Sequence, residues 1–209
     1  MIIKVILSYF LIFSINFFFK KKNYLRSINS SEHQNFANTS IPLSGGIFLS
    51  FPIIYFIYET YSIIALVFLL FMMLGIFSDL NIIGAPKKRF LFQLTILIIF
   101  TVYSKLEVFP SRIFLIDNYL MGTLISFLFT AFCLMVLING SNFIDGLNGL
   151  LLGYFLIIIL ILSNLDLLSL ISISADGKYY IILIISFILI LNFCNQLFVG
   201  DNGAYSLSF

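Results

Sequence analysis

The chain has 209 residues, of which 61% are hydrophobic and 10% are charged. Soluble domains carry about 25% charged residues, so this composition excludes a globule that faces water on all sides and indicates that lipid surrounds most of the chain. The net charge of +2 says little about partners, and we expect no nucleic acid among them.

Seven apolar stretches are long enough, or nearly so, to cross a bilayer, which takes roughly 20 apolar residues. We predict spans at about 2–19, 43–58, 61–78, 90–104, 120–138, 149–171 and 179–195. No small-residue cleavage site lies between the first stretch and Lys20, so we interpret it as a membrane helix and not as a signal peptide. The predicted fold is therefore all-α: a polytopic membrane protein with short loops, forming one transmembrane domain over residues 1–209.

The basic residues are divided unequally between the two sides of the predicted membrane domain. The loops on one side hold Lys20, Lys21, Lys22, Arg26, Lys87, Lys88 and Arg89. The opposite side holds Lys4, Lys105, Arg112 and Lys178. Because cytoplasmic loops carry the excess of Lys and Arg, we predict that the first side is cytoplasmic and that the N-terminus lies outside.

Acidic residues mark the predicted cytoplasmic side in three separate segments. Asp79, Asp145 and Asp201 each lie at or just beyond the end of a predicted helix. A single aspartate in such a place is commonly a solvated loop residue. Three on one face of a membrane domain, each close to Gly or Asn, favour a polar binding site at the membrane edge.

The first and third segments suggest a site for a metal ion and phosphate. Asp79 precedes a basic cluster that ends at Arg89, so it can bind Mg²⁺ or accept a proton while Arg89 holds phosphate oxygens; the alternative is a membrane anchor with its counter-ion. Asp201 lies in Gly-Asp-Asn-Gly, which is also a good turn sequence. With one histidine, His33, a zinc site is not expected.

The second segment, NFIDGLNG at 142–149, places Asn142, Asp145 and Asn148 three residues apart. That spacing puts them on one face of a helix or tight turn, and Gly146 and Gly149 leave room for a ligand beside the backbone. Helix capping explains one such polar residue but not three with two glycines. We therefore favour a binding role.

These segments, in this order, resemble the polyprenyl-phosphate N-acetylhexosamine-1-phosphate transferases, the membrane glycosyltransferase family 4. Members start the synthesis of peptidoglycan lipid, teichoic acid and O-antigen. The resemblance covers nearly the whole chain and rests on IPLSGG at 41–46, GIFSDLNIIGAPKKRFLFQ at 75–93, NFIDGLNG at 142–149 and LFVGDNGAYSLSF at 197–209.

The resemblance implies a reaction and a set of partners. A polyprenyl phosphate oxygen attacks the β-phosphorus of a UDP-N-acetylhexosamine-type sugar, a lipid pyrophosphoryl sugar forms, and UMP leaves, with Mg²⁺ as cofactor. The enzyme would start cell-wall or lipopolysaccharide synthesis in the inner (plasma) membrane, with its active face in the cytoplasm. A homodimer is compatible with this picture.

The resemblance also implies roles for individual residues. Asp201 would bind Mg²⁺, and Asp79, Asp145 and Arg89 would be catalytic. Phe198 would stack on uracil. The rest of the substrate site would consist of Asn142, Gly146, Leu147 and Asn148.

The chain departs from the family pattern in two places. Ser78 stands where the family has the first aspartate of a pair, and the sequence ends at Phe209, where family members continue through further helices. We therefore expect a C-terminally incomplete domain with little or no turnover. The alternatives are an inactive paralogue that serves as a membrane scaffold, or a transporter fragment, although a transporter would place ionisable groups near the bilayer midplane.

Overall fold

The computed structural model describes residues 2–25, 41–58, 61–106, 112–114, 117, 124–165 and 173–209. The helices in chain order are α1 (Ile2–Lys22), α2 (Gly45–Tyr58), α3 (Ser62–Asp79), α4 (Pro86–Ser104), α5 (Leu124–Ile144), α6 (Leu150–Asn164), α7 (Ala175–Phe193) and α8 (Gly200–Ser208). No β-strand is present in the described ranges, and the predicted all-α class is confirmed there.

The helices differ in their capacity to cross a membrane. Helices α1, α3, α5 and α7 have 18–21 residues and are apolar enough to span a bilayer. Helices α2 and α6 are also apolar but have 14 and 15 residues, and α4 begins with Pro86-Lys87-Lys88-Arg89. The chain is a membrane protein, whereas the seven predicted crossings are not established by these helix lengths.

Several helix boundaries differ from the predicted spans, most clearly those of α5 and α6. Helix α5 continues to Ile144, beyond the predicted end near residue 138, because the polar Asn139 finds partners without leaving the helix. Its side-chain amide donates to the Met135 carbonyl at 2.9 Å and to the Gln93 side chain at 3.3 Å. Helix α6 ends at Asn164, and the last part of the predicted sixth span, 166–171, lies outside the described residues.

The short helix α8 is central to the packing, since it lies against α2, α3 and α5. Glycines allow these close contacts. A Cβ atom added at Gly75 would lie 2.2 Å from the Asn202 Cα, and one added at Gly203 would lie 2.7 Å from the Gly46 Cα. Backbones can approach this closely only where no side chain intervenes, so small residues set the position of α8.

The segment before α2 holds the chain just ahead of α8 through its backbone. Gly45 and Gly46 donate their N–H groups to the carbonyls of Phe198 and Val199 at 2.9 and 3.0 Å. In return, the Phe198 N–H donates to the Pro42 carbonyl at 3.0 Å. In this structure the glycine pair of IPLSGG therefore serves close packing and backbone pairing.

Buried polar contacts join α1 to the same region. Asn16, which is 5% exposed, donates to the Gln196 carbonyl at 2.9 Å and accepts from Ser44 at 2.8 Å. Lys20 donates to the Gln196 side chain at 3.2 Å. The C-terminal end of α1 and the N-terminal ends of α2 and α8 therefore meet at one end of the helix bundle.

Candidate active site

Asp79 is the last residue of α3 and is 9% exposed. One of its carboxylate oxygens accepts the Asp201 N–H at 2.9 Å. The other accepts the backbone N–H and the side-chain amide of Asn202, at 3.2 and 2.6 Å. Asp79 thus caps the N-terminus of α8 from a neighbouring helix, which satisfies backbone donors and complements the helix dipole.

Asp201 lies on the first turn of α8 beside the end of α3 and the start of α4. Its Oδ2 atom accepts a hydrogen bond from Arg89 at 2.6 Å, one from the Tyr205 hydroxyl at 3.2 Å, and one from the Ser78 hydroxyl. Arg89 also donates to the Ser78 oxygen at 2.7 Å. We call Ser78, Arg89, Asp201 and Tyr205 the Asp201 cluster.

The charge balance of the Asp201 cluster depends on Ser78. This residue stands between Arg89 and Asp201, at the position where the resemblance places an aspartate. Because serine is uncharged, the guanidinium forms its ion pair with Asp201, whose side chain is 21% exposed against 25% for that of Arg89. The partial exposure leaves both groups within reach of a ligand from the membrane edge.

Asp145 follows directly after α5, at the same end of the bundle. The residue is partly buried, and protein atoms are packed densely around its carboxyl group. Burial raises the pKa of this carboxyl well above its usual range, and the charges of Asp79 and Asp201 raise the pKa further, against the opposing effect of the Gly200 backbone amide. The three aspartates of the sequence motifs are therefore electrostatic neighbours.

This raised pKa predicts a pH-dependent cost of Asp145 to stability. An aspartate in the unfolded chain titrates at about 3.9, so the folded state binds the proton more tightly and loses stability as pH rises from about 4 through the folded pKa. Asparagine cannot ionise. In thermal unfolding we expect Asp145→Asn to be more stable than the unaltered chain, by a margin that grows as the pH rises above about 4. A stability difference between the two proteins that is negative, or that does not change with pH, would contradict the raised pKa of Asp145.

The end of the NFIDGLNG segment contacts the connection between α7 and α8. The Asn148 amide donates to the Asn195 side-chain oxygen at 2.7 Å, and the Gly149 N–H donates to the Asn192 side-chain oxygen at 2.6 Å. Gly149 has φ +78°, and a Cβ there would lie 2.4 Å from the Phe193 ring. Part of the segment that predicts a nucleotide site therefore holds the neighbouring chain in place.

Asn192 supports this arrangement from α7 and is 3% exposed. It accepts from Gly149 and donates to the Leu197 carbonyl at 3.1 Å, so Asn192→Ala leaves two buried backbone groups without this partner. We expect a loss of about 2 kcal/mol or more of unfolding free energy. Ser186→Ala is the control, because Ser186 bonds within its own helix and its loss should cost about 0.5 kcal/mol or less. Equal melting of the two variants would contradict the role of Asn192.

The remaining residues of the predicted substrate site differ in accessibility. Asn142 lies on the last turn of α5 and is partly buried, Gly146 lies in the following turn, and Leu147 is 58% exposed. Phe198 is 4% exposed and packs with Ile41 and Leu43. Its ring is covered in this structure, so stacking on uracil would require it to move.

The oxygen donors present fit a magnesium ion that is bound partly through its substrate. Within the described ranges no three His, Cys, Asp or Glu residues form a group that could hold a metal. Mg²⁺ does not need such a group, since one or two carboxylates plus substrate phosphates commonly suffice. The hydrogen bonds of Asp201 to described side chains all use Oδ2, which leaves Oδ1 for a cation, and Asp145 is its electrostatic neighbour.

Several residues at this site carry no strong signal in the sequence. Tyr205 could have been found, because it lies four residues after Asp201 and hence on the same face of a helix. Asn202 adjoins Asp201 in the motif but points to Asp79. Asn192 lies in an apolar run, and its partners Gly149 and Leu197 emerge only from the tertiary fold.

A comparison with protein families agrees with this arrangement. The model of glycosyl transferase family 4 matches residues 61–209, more than half of the chain, and this range includes Asp79, Arg89, Asp145 and Asp201. No curated protein and no solved structure matches. The extent of the family match shows that the chain belongs to glycosyl transferase family 4.

Proposed function

We propose that the protein transfers a sugar-1-phosphate from a UDP-N-acetylhexosamine-type sugar to polyprenyl phosphate and releases UMP. Family membership gives the coarser description, a membrane glycosyl transferase. The observation that carries the proposal is the meeting of Asp79, Asp145 and Asp201 with Arg89 at one end of a bundle of apolar helices. Such a site suits a lipid phosphate and a nucleotide diphosphate sugar as its two substrates.

The reaction exchanges one phosphoanhydride bond at the β-phosphorus for another. An oxygen of the lipid phosphate forms a bond to the β-phosphorus of the nucleotide sugar, and the bond from that phosphorus to the bridging oxygen of the α-phosphate breaks. UMP leaves with that oxygen. Such a reaction is catalysed mainly by positioning and by neutralising charge.

Each residue of the site then has a proposed task. Asp201 and Asp145 would hold Mg²⁺, which when bound would neutralise phosphate charge. Arg89 would turn from Asp201 to phosphate oxygens, which its guanidinium can bind with two donors. Asp79 is better suited to positioning than to proton transfer, because its oxygens are engaged by the N-terminus of α8, where Asp201 lies.

The pathway partners and the orientation belong to the same proposal. A cytoplasmic site is supported by the basic residues on this side, including Lys20, which contacts Gln196 next to α8. UDP-sugars would then reach the site from the cytoplasm. The homodimer remains a prediction.

A second candidate function is a non-catalytic membrane scaffold. The Arg89–Asp201 ion pair favours it, because the guanidinium is bound to Oδ2 of Asp201 and neutralises the charge that would attract a metal ion. Ser78 offers Arg89 no alternative carboxylate. A transporter is less favoured, because the acids lie at helix ends and not in the middle of the predicted spans.

A transfer assay separates enzyme from scaffold. Membranes containing the chain would receive Mg²⁺, polyprenyl phosphate and a radiolabelled UDP-N-acetylhexosamine. In keeping with Ser78, we expect little labelled lipid product from the unaltered chain, and we expect a chelator to abolish what forms and Asp201→Asn to reduce it by about 10²-fold or more. Asp117→Asn is the control, since Asp117 lies outside the Asp201 cluster. Product formation that Asp201→Asn and the chelator leave unchanged would refute the proposal.

A further inference from the structure

A cavity of about 500 Å³ lies at the opposite end of the bundle from the Asp201 cluster. It is lined by residues of α1, α2 and α7, among them Lys4, Phe56 and Asp176. Roughly 24 Å of α1 separates Lys4 from Lys20, at about 1.5 Å per residue. Since α1 and α7 are candidate membrane spans, the cavity lies at the far edge of the membrane, away from the proposed chemistry.

Several of the residues that line this cavity contact one another. The Ser8 and Tyr180 hydroxyls share a hydrogen bond at 2.5 Å, and the rings of Phe56 and Tyr180 meet edge to face at a centroid distance of 5.9 Å. A Cβ at Gly177 would lie 3.0 Å from the Phe56 ring, so α7 packs closely there. The cavity is therefore a formed feature of the α1–α2–α7 junction.

Two opposite charges line the cavity from different helices. Lys4 belongs to α1 and Asp176 to the first turn of α7, and both residues are exposed. Within the described ranges neither side chain has a salt-bridge partner, so the ammonium and the carboxylate are not neutralised by each other. The negative charge of Asp176 also interacts favourably with the dipole of α7. This interaction explains the presence of Asp176 but not that of Lys4.

We propose that this cavity binds the headgroup of phosphatidylethanolamine, with the lipid phosphate at Lys4 and the lipid ammonium at Asp176. The cavity volume falls within the range of about 300–1,000 Å³ typical of small-ligand sites. Exposed apolar residues of α1 next to Lys4, including Ile3 and Ile6, provide a surface for the acyl chains.

Charge complementarity selects this lipid among common phospholipids. Phosphatidylglycerol can satisfy Lys4 but has no cation for Asp176. The quaternary ammonium of phosphatidylcholine has no N–H group to donate to a carboxylate. A primary ammonium can form a charge-assisted hydrogen bond to Asp176, which is roughly twice as strong as a neutral one.

Native mass spectrometry of the delipidated full chain tests the proposal. The protein would be titrated with phosphatidylethanolamine, phosphatidylglycerol and phosphatidylcholine of identical acyl chains. We expect phosphatidylethanolamine to bind about tenfold more tightly than the others. Lys4→Gln should weaken the binding of phosphatidylethanolamine and phosphatidylglycerol alike. Asp176→Asn should remove only the preference for phosphatidylethanolamine.

Lys21→Gln is the matched control, because Lys21 is an exposed lysine at the other end of α1. It should leave all three lipid affinities unchanged. Equal binding of the three lipids by the unaltered chain, or unaltered binding in both Lys4→Gln and Asp176→Asn, would overturn the proposal. Competition by glycerophosphoethanolamine at the same concentration as the intact lipid would also overturn it, because the ligand would then be a soluble zwitterion.

Discussion

Replacing Gly75 by alanine should largely prevent the chain from reaching its folded state. A Cβ at this position would lie 2.2 Å from the Asn202 Cα and 2.4 Å from its nitrogen, and both atoms belong to a helix backbone that cannot rotate away. Helix α8 would have to move off α3, separating Asp79 from the amides that it caps. We expect a loss of about 3 kcal/mol or more of unfolding free energy, measured as loss of monodisperse protein on heating in detergent.

Gly153→Ala provides the matched control. Gly153 lies within α6, and a Cβ there would meet no atom within 4 Å. The same substitution in the interior of a helix should stabilise it by roughly 0.5–1 kcal/mol, since alanine loses less backbone entropy than glycine. If both variants melted alike, the close approach of α3 and α8 would not limit stability.

Replacing Ser78 by aspartate should increase both metal binding and turnover. The new carboxylate would lie beside Arg89, which now forms its ion pair with Asp201. Arg89 could then pair with residue 78, and Asp201 would be released to bind a cation. We expect about tenfold tighter Mn²⁺ binding by electron paramagnetic resonance and at least about tenfold faster sugar-phosphate transfer, each factor corresponding to about 1.4 kcal/mol.

A neutral residue of the same size as aspartate distinguishes the effect of the added charge at residue 78 from the effect of the added volume. Ser78→Asn adds a side chain of nearly the same volume as that of aspartate but without its negative charge. It should leave Mn²⁺ affinity and turnover near those of the unaltered chain. Equal gains in the two variants would show that the Arg89–Asp201 pair does not restrain the site.

The long apolar helices could be predicted from sequence because apolar runs of this length have few alternatives in lipid, whereas the short helix α8 is not among the predicted spans. Helix α5 shows where that reasoning ends. Its last turns contain Asn139, Gly140, Ser141 and Asn142, a composition that indicates a loop. They remain helical because Asn139 bonds to its own helix and to Gln93 of α4, a contact between residues far apart in sequence.

The candidate site was predictable in its location but not in its contacts. Because the loops between successive membrane helices alternate between the two sides of the membrane, the sequence alone predicts Asp79, Asp145 and Asp201 on one side. The capping of α8 by Asp79 depends on how closely α3 approaches α8, which Gly75 determines through a long-range contact. The covered ring of Phe198 likewise depends on Ile41 and Leu43, which precede it by most of the chain.

The nucleotide released during transfer tests the central claim most directly. The chain and its Ser78→Asp variant would be incubated with polyprenyl phosphate, Mg²⁺ and a UDP-N-acetylhexosamine, and the products separated by mass. Sugar-1-phosphate transfer predicts UMP and a lipid carrying the sugar on a diphosphate, with both products lost in Asp201→Asn. Release of UDP with the sugar on a monophosphate, or no lipid product from either protein, would contradict the proposed reaction.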